Sequence, residues 1–421
     1  MSASPAAGVT APPRRESRVA GLDGLRGAAA LFVVVNHIFL RAWPGYPVDH
    51  APLWASWFIY GRFAVDVFIV VSGFSLGLGP ARYEWRFRSL ATFANRRAWR
   101  ILPPYWAALG FSLVMTWYVL AQPRLPRPDA GSVAVNGLLV QNIVPAASPN
   151  RAFWSIAVEA QLYVLLPLLL LLVRRVNALA MVAMVAAVVT GVGAIGPQFG
   201  LTNSALLDLT PDLAVLFAIG VLAAGIVTAP DRIRARPWAL FALCAAGLVV
   251  ALILVMGPTW TNDHLFWVDL AWGPALGCFV AALATSRPRP VVRLLEMRPL
   301  RRLGSFSYSL YLTHAPIVIA VSYGLVLGRV PRGTTTFLVL VAILVPLTVV
   351  FARLFAAAFE FPFQRHRGWL PLKAAITDCC RGGRRKLRWD AGAGLVAVRA
   401  PAGSAGRSGA PSRASAPQPL R

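Results

Sequence analysis

Runs of about twenty predominantly apolar residues recur ten times along this chain of 421 residues, near 24–43, 59–79, 101–121, 152–173, 178–196, 207–228, 237–256, 265–285, 303–325 and 335–359. A hydrocarbon layer about 30 Å thick takes about 20 helical residues to cross, so a chain patterned this way folds as a polytopic membrane protein. Barrel strands alternate lipid-facing and lumen-facing side chains, whereas 165–173 is apolar without interruption, so the spans are read as helices. The expected class is all-α: one bundle of ten transmembrane helices.

Lys and Arg number 41 against 16 Asp and Glu, a formal charge of +25 that in a soluble protein would point to nucleic acid. With 57% hydrophobic residues and only 14% charged, the bilayer is the expected partner instead, and nucleic acid is not. Cations gather in short cytoplasmic loops. With the N-terminus inside, the inner segments hold 24 and the outer ones 7 (Arg41, Arg62, Arg124, Arg127, Arg151, Arg329 and Arg332), which places both termini in the cytoplasm.

Arg14, Arg15 and Arg18 precede an apolar stretch that contains Asp23, Arg26 and His37, so it reads as a retained helix rather than a cleaved signal peptide. The expected division is a cytoplasmic segment over 1–20, a membrane domain over 21–363, and a basic, mostly disordered cytoplasmic tail over 364–421. Arg384, Arg385, Lys386 and Arg388 of that tail suit anionic headgroups. The four cysteines imply no disulfide framework: Cys244 and Cys278 sit within spans as small apolar filler, and Cys379 and Cys380 follow the last span.

Charge at membrane depth is costly, so each ionisable residue in a span is weighed as a functional candidate against interhelical pairing. In the first span Arg26 and His37 lie eleven residues apart, roughly 16 Å along a helix and about 20° past three turns, hence on one face. Ala30 and Val34 between them are slender enough to admit a ligand or a neighbouring helix, and a narrow cavity along this stripe is expected. A lone histidine is most simply a packing residue. Yet His37, Asp66 and Glu159 each lie about 10 Å from the outer helix ends at the helical rise, and a carboxylate beside an imidazole suits a base that takes a proton from a hydroxyl. An interhelical salt bridge weighs equally for Asp66.

Asp212 and Asp269 also fall in the outer third, where helix N-terminal charge placement is preferred over a carbohydrate-binding rim. On the inner side RRAWR presents Arg96, Arg97 and Arg100 at the mouth of the third span, an anion clamp or simply the cations that the orientation rule requires. The ninth span places Tyr308, Tyr311 and His314 at intervals of three, as lining or tight packing, with His314 near mid-membrane. Glu360 is read as structural, paired with an inner arginine.

In order along the chain, GLDGLRG with its downstream His37, GRFAVDVFIVVSGF, RRAWRILPPYW, FWSIAVEAQLY, LGSFSYSLYLTHAP and FEFPF resemble the acyltransferase 3 family of integral membrane O-acyltransferases, over residues 21–363. The resemblance implies a ten-helix enzyme that moves an acyl group, acetyl first among candidates, from cytosolic acyl-coenzyme A to a hydroxyl acceptor at the outer face. The acceptor would be a cell-surface glycan, a lipid-linked sugar or a secreted metabolite. No permanently bound cofactor and no metal are implied. His37 maps onto the family's base and Arg26 onto the donor path. Arg96, Arg97 and Arg100 map onto its coenzyme A phosphate site, and Asp66 and Glu159 onto its motif carboxylates.

The expected course takes the pantetheine arm along the Arg26 to His37 face, with His37 as base or as acyl-carrying nucleophile. About 58 residues follow FEFPF where the family commonly continues into an external hydrolase-like domain, so a separate acceptor-delivering protein is a candidate partner. A proton-coupled transporter or flippase using the same Arg, His, Asp and Glu groups is the rival from another class, and a membrane sensor or scaffold ranks behind it. The abundance of Ala, Arg and Gly suits a G and C rich genome and a bacterial plasma membrane.

Overall fold

The computed structural model describes residues 19–119, 127–200, 208–366 and 368. Arg14, Arg15, Arg18, Arg124 and the tail residues from 369 onward, Cys379 and Cys380 among them, lie outside the described residues.

Each apolar run forms a helix: α1 (Leu22–Ala42), α2 (Arg62–Ala81), α3 (Leu90–Val114), α4 (Trp154–Arg175), α5 (Ala178–Ile195), α6 (Asp212–Ala224), α7 (Trp238–Asp263), α8 (Leu265–Ala284), α9 (Ser307–Val321) and α10 (Thr334–Phe355). Eight of them, all but α3 and α6, are long and apolar enough to cross a membrane. No strand occurs among the described residues, only one isolated bridge between Leu327 and Val330. The protein is a multi-pass, all-α membrane bundle.

Burial separates the centre from the lipid-facing shell. In α2 and α9 67% of the apolar window is buried, in α5 and α7 only 17%. The outward side chains of α7, Leu243, Leu248 and Val255 among them, are as apolar as the core, because bilayer and interior are similar solvents. The run in α7 breaks at Gly257, whose φ of 79° leaves the helical region, and Pro258 starts a further short segment.

Close backbone approaches hold the central helices. A Cβ on Gly73 would strike the Phe217 carbonyl and one on Gly220 the Val70 carbonyl, so α2 and α6 pack glycine to backbone. The glycines of GLDGLRG act alike. Gly27 lies against the backbone of the short helix Arg298–Gly304, and Gly304 against the Asp23 carbonyl. That contact seats the first turn of α1 and with it Arg26.

The stripe between Arg26 and His37 is filled rather than hollow. Ala30 and Val34 are buried in a cluster with Leu303, Phe306 and Leu310, so the slender side chains admit a helix and not a ligand. The third span also begins earlier than its apolar run. Ser89 caps α3 by accepting from the Thr92 amide, and the helix therefore carries Arg96, Arg97 and Arg100 within its own early turns.

Candidate functional site

Three assemblies of polar groups lie inside the bundle. The first is a vestibule lined by six arginines, Arg26, Arg82, Arg86, Arg88, Arg96 and Arg97, with Asp23 the carboxylate beside them. Guanidinium groups present planar pairs of donors matched to phosphate oxygens, so this mouth attracts a polyanion.

The vestibule shares Arg26, Ser75, Leu76 and Arg97 with a deeper pocket, so the two adjoin at those residues. Five helices build its wall: α1 supplies Arg26, α2 Ser72 and Ser75, α3 Arg97 and Arg100, α4 Ser155, Glu159 and Tyr163, and α9 Tyr308 and Tyr311. Arg26 donates from Nη2 to Ser75 Oγ at 2.9 Å and lies 3.8 Å from Asp23. Glu159 Oε1 accepts from Tyr163 OH at 2.5 Å and from Ser72 Oγ at 2.8 Å, a carboxylate held by two hydroxyls. Arg97 lies over the Tyr163 ring, and its Nε is buried without a partner. Ser155 and Tyr311 share a hydrogen bond of 2.6 Å, and Tyr308 OH donates to the Ile101 carbonyl. Arg96 lines the vestibule, and Arg100 the cavity.

The second assembly is a pair of histidines. His37 of α1 and His314 of α9 meet edge to face with ring centroids 4.7 Å apart. Nδ1 of His37 lies 3.0 Å from the Val33 carbonyl and Nδ1 of His314 lies 2.8 Å from that of Tyr311. A carbonyl only accepts, so each Nδ1 carries the proton and each neutral ring keeps the Nε2 lone pair free, the form a general base requires. The Tyr311 ring, 5.7 Å from that of His314, joins the histidines to the cavity wall.

The third assembly is a carboxylate cluster on one arginine. Arg62, the first residue of α2, meets Asp269 of α8 at 2.5 Å and Asp212 of α6 at 3.3 Å, and lies over the Trp154 ring. Asp66, one turn along α2, is fully buried against this group.

His37, Asp66 and Glu159, expected at one depth as a catalytic trio, therefore stand in three different places. No hydrogen bond or ion pair among the described residues joins either carboxylate to His37. Equal depth sets one coordinate only; the rotation of α2 turns Asp66 toward α6 and α8, and that of α4 turns Glu159 toward Ser72. Asp212 opens α6, as helix N-terminal placement expects, whereas Asp269 lies beyond the first turn of α8, and both are ion-paired with Arg62. Among the described residues Glu360 meets no arginine within ion-pair distance; it accepts from Ser309 Oγ at 2.5 Å and from Gln364 at 2.8 Å. Tyr308 and Tyr311 line the cavity, while His314 stands beyond it.

Ser72, Tyr163 and Arg62 were not singled out from the sequence. Tyr163 follows Glu159 by four residues, the spacing that faces two side chains on one helix, and Arg62 precedes Asp66 by the same interval. Ser72 carries no comparable signal.

The helical membrane bundle thus sets a cationic entrance beside an inner pocket of mixed apolar and polar walls, with two imidazoles beyond it. Residues 19–357 match the family described as acyltransferase domain. BcsY of Komagataeibacter xylinus, a membrane-bound transacylase by its description, is 26% identical over 348 residues, 78% of this chain and 81% of that protein. The O-acetyltransferase OatA of Staphylococcus aureus is 25% identical over 368 residues, 82% of this chain and 57% of its own length. The peptidoglycan O-acetyltransferase OatA of Listeria monocytogenes is 23% identical over 71% of this chain, which spans 49% of that relative. No solved structure matches the chain significantly. The chain belongs to the acyltransferase family and is a membrane enzyme of the O-acyltransferase class.

Proposed function

We propose that the protein sits in a bacterial plasma membrane and moves an acetyl or related acyl group from cytosolic acyl-coenzyme A to a hydroxyl on a cell-envelope glycan, lipid-linked sugar or secreted metabolite. The observation that carries the reading is the adjacency of the arginine vestibule and the inner pocket, which share Arg26 and Arg97: a polyanion entrance beside a chamber walled by Glu159, Tyr163 and Tyr311. Arg82, Arg86, Arg88, Arg96 and Arg97 bind the donor phosphates in this scheme, and Arg26, Arg97 and Arg100 lead the pantetheine arm inward. The arm runs through the cavity between α2, α3, α4 and α9 rather than along the filled α1 stripe.

The acceptor approaches from the opposite end. His37 Nε2 takes the hydroxyl proton as the oxygen bonds to the thioester carbonyl carbon; the C–S bond then breaks, and the thiolate leaves with the proton returned from the imidazolium. His314 packs against that imidazole throughout. The relatives' O-acetyltransferase names support the reaction type, and the cationic entrance supports a coenzyme A donor over transport of a neutral solute.

The test follows thiol release from radiolabelled acetyl-coenzyme A by the protein in nanodiscs supplied with a cell-envelope extract. Loss of a general base lowers rates by about 10²- to 10⁴-fold, so His37→Ala should remove extract-dependent release while donor binding persists. Unchanged turnover in His37→Ala would overturn the mechanism.

A further inference from the structure

Beyond the histidine pair, at the end of the bundle opposite the vestibule, lies a set of unsatisfied polar groups that the donor site does not use. Arg41 stands in the last turn of α1, four residues past His37. Arg151 opens the short 3-10 turn that leads into α4. That turn is fixed against α9: Asn150 Nδ2 donates to the Leu312 carbonyl at 2.9 Å and to Ser112 Oγ at 3.3 Å, two residues before His314.

Neither is neutralised. Among the described residues no carboxylate lies within ion-pair distance of Arg41 or Arg151. Among the described residues Arg41 reaches the Tyr323 hydroxyl, at 3.3 Å, and lies over that ring, and its Nε is buried without a hydrogen-bond partner. Ser322 Oγ and His314 Nε2 are also buried and unpartnered, so three such atoms lie along α1 and the end of α9 between the histidines and this end of the bundle. The large majority of buried donors and acceptors in native proteins are satisfied, by the protein, by ordered water or by a ligand. Asp212 and Asp269 are already held by Arg62, and Asp49, in the segment after α1, accepts from the Gly45 amide.

We infer that this end is an acceptor site selective for an anionic group: the acyl acceptor is an acidic glycan or glycolipid whose carboxylate or phosphate is held by Arg41 and Arg151 while its hydroxyl lies against His37. The inference rests on the acyl-transfer reading and names its acceptor class. Arg41 is one helical turn, about 5.4 Å, from His37, so the acidic group belongs to the acylated sugar or its neighbour. An acidic acceptor gains charge-assisted hydrogen bonds to the half-buried Arg41 and the exposed Arg151 that a neutral one cannot make.

The experiment measures binding to the full chain in phosphatidylcholine nanodiscs by fluorescence anisotropy. The probes are a labelled glucuronate-containing tetrasaccharide, its carboxyl-reduced form and a lipid-linked sugar phosphate. Wild type is expected to bind at least one anionic probe at least tenfold more tightly than the carboxyl-reduced sugar. The advantage should shrink with salt and disappear in Arg41→Gln/Arg151→Gln. The two anionic arms tell a carboxylate ligand from a phosphate. Radiolabelled acetyl-coenzyme A binding by the same variant shows that it is folded. Equal binding of reduced and acidic sugars, an unaffected double variant, or no binding of either anionic probe would overturn the inference. Failure of donor binding in wild type would instead strike the acyl-transfer reading, and the two outcomes are read separately.

Discussion

Two regions of the bundle bury charge, and they do so in opposite ways. Around Arg62 the guanidinium is spent on its own protein, with Asp269 and Asp212 in contact and Trp154 beneath it. Around Arg26, Arg97 and Glu159 the charged groups face a cavity, Arg97 Nε has no partner, and the carboxylate is steadied by hydroxyls rather than by a cation. Both arrangements carry the desolvation cost of buried charge. The first offsets it with ion pairs that tie α2, α6 and α8 together, and the second leaves it for a ligand to offset. Membrane depth therefore marks a residue as important without saying for what; the direction it faces decides.

The comparison breaks most sharply at Arg62. Arg62→Ala strands Asp66, Asp212 and Asp269 without their cation, and removing one partner of a buried pair costs about 3–5 kcal/mol. The expected result is a large drop in thermal stability in detergent, with little folded protein recovered. A stable, inactive variant would move this cluster into the functional class.

Tyr163→Phe deletes one hydrogen bond to the Glu159 carboxylate and leaves that from Ser72. A hydrogen bond to a charged group is worth about 1.5–3 kcal/mol, so kcat/KM for acyl transfer should fall by about 10- to 100-fold while the unfolding temperature shifts far less than in Arg62→Ala. A stability loss equal to that of Arg62→Ala, with unchanged kinetics in the folded fraction, would make the cavity carboxylate structural.

Arg96 lines only the wide vestibule, where solvent screens its charge. Arg96→Gln should raise the donor KM by less than about 1 kcal/mol, a few-fold, with kcat unchanged and the difference fading in high salt. A fall in kcat would place Arg96 nearer the chemistry than the vestibule.

Much of this was legible in the chain because the bilayer imposes a length on apolar runs, and all ten runs are helices. GLDGLRG was legible as a motif, and its glycines have a physical role in seating α1 on the helix Arg298–Gly304. What the sequence did not disclose was facing. Ala30 and Val34 allow either a ligand or a helix to approach, and only tertiary packing shows that Leu303, Phe306 and Leu310 occupy the place. Asp66 shares a depth with His37 but turns to a different neighbour, a choice set by helix order around the bundle. Ser72 and Tyr163 are uncharged and carry no cost at membrane depth to draw notice.

The central claim is that the arginine vestibule and its cavity receive an acyl-coenzyme A. It is tested most directly by equilibrium binding of a non-hydrolysable acetyl-coenzyme A analogue to the protein in nanodiscs, comparing wild type with Arg97→Gln, the residue that lines both chambers. The account predicts saturable, salt-sensitive binding to wild type that weakens by about 10- to 100-fold in Arg97→Gln, the loss of one charge-assisted contact. Absence of binding to wild type, or equal affinity in the variant, would contradict it.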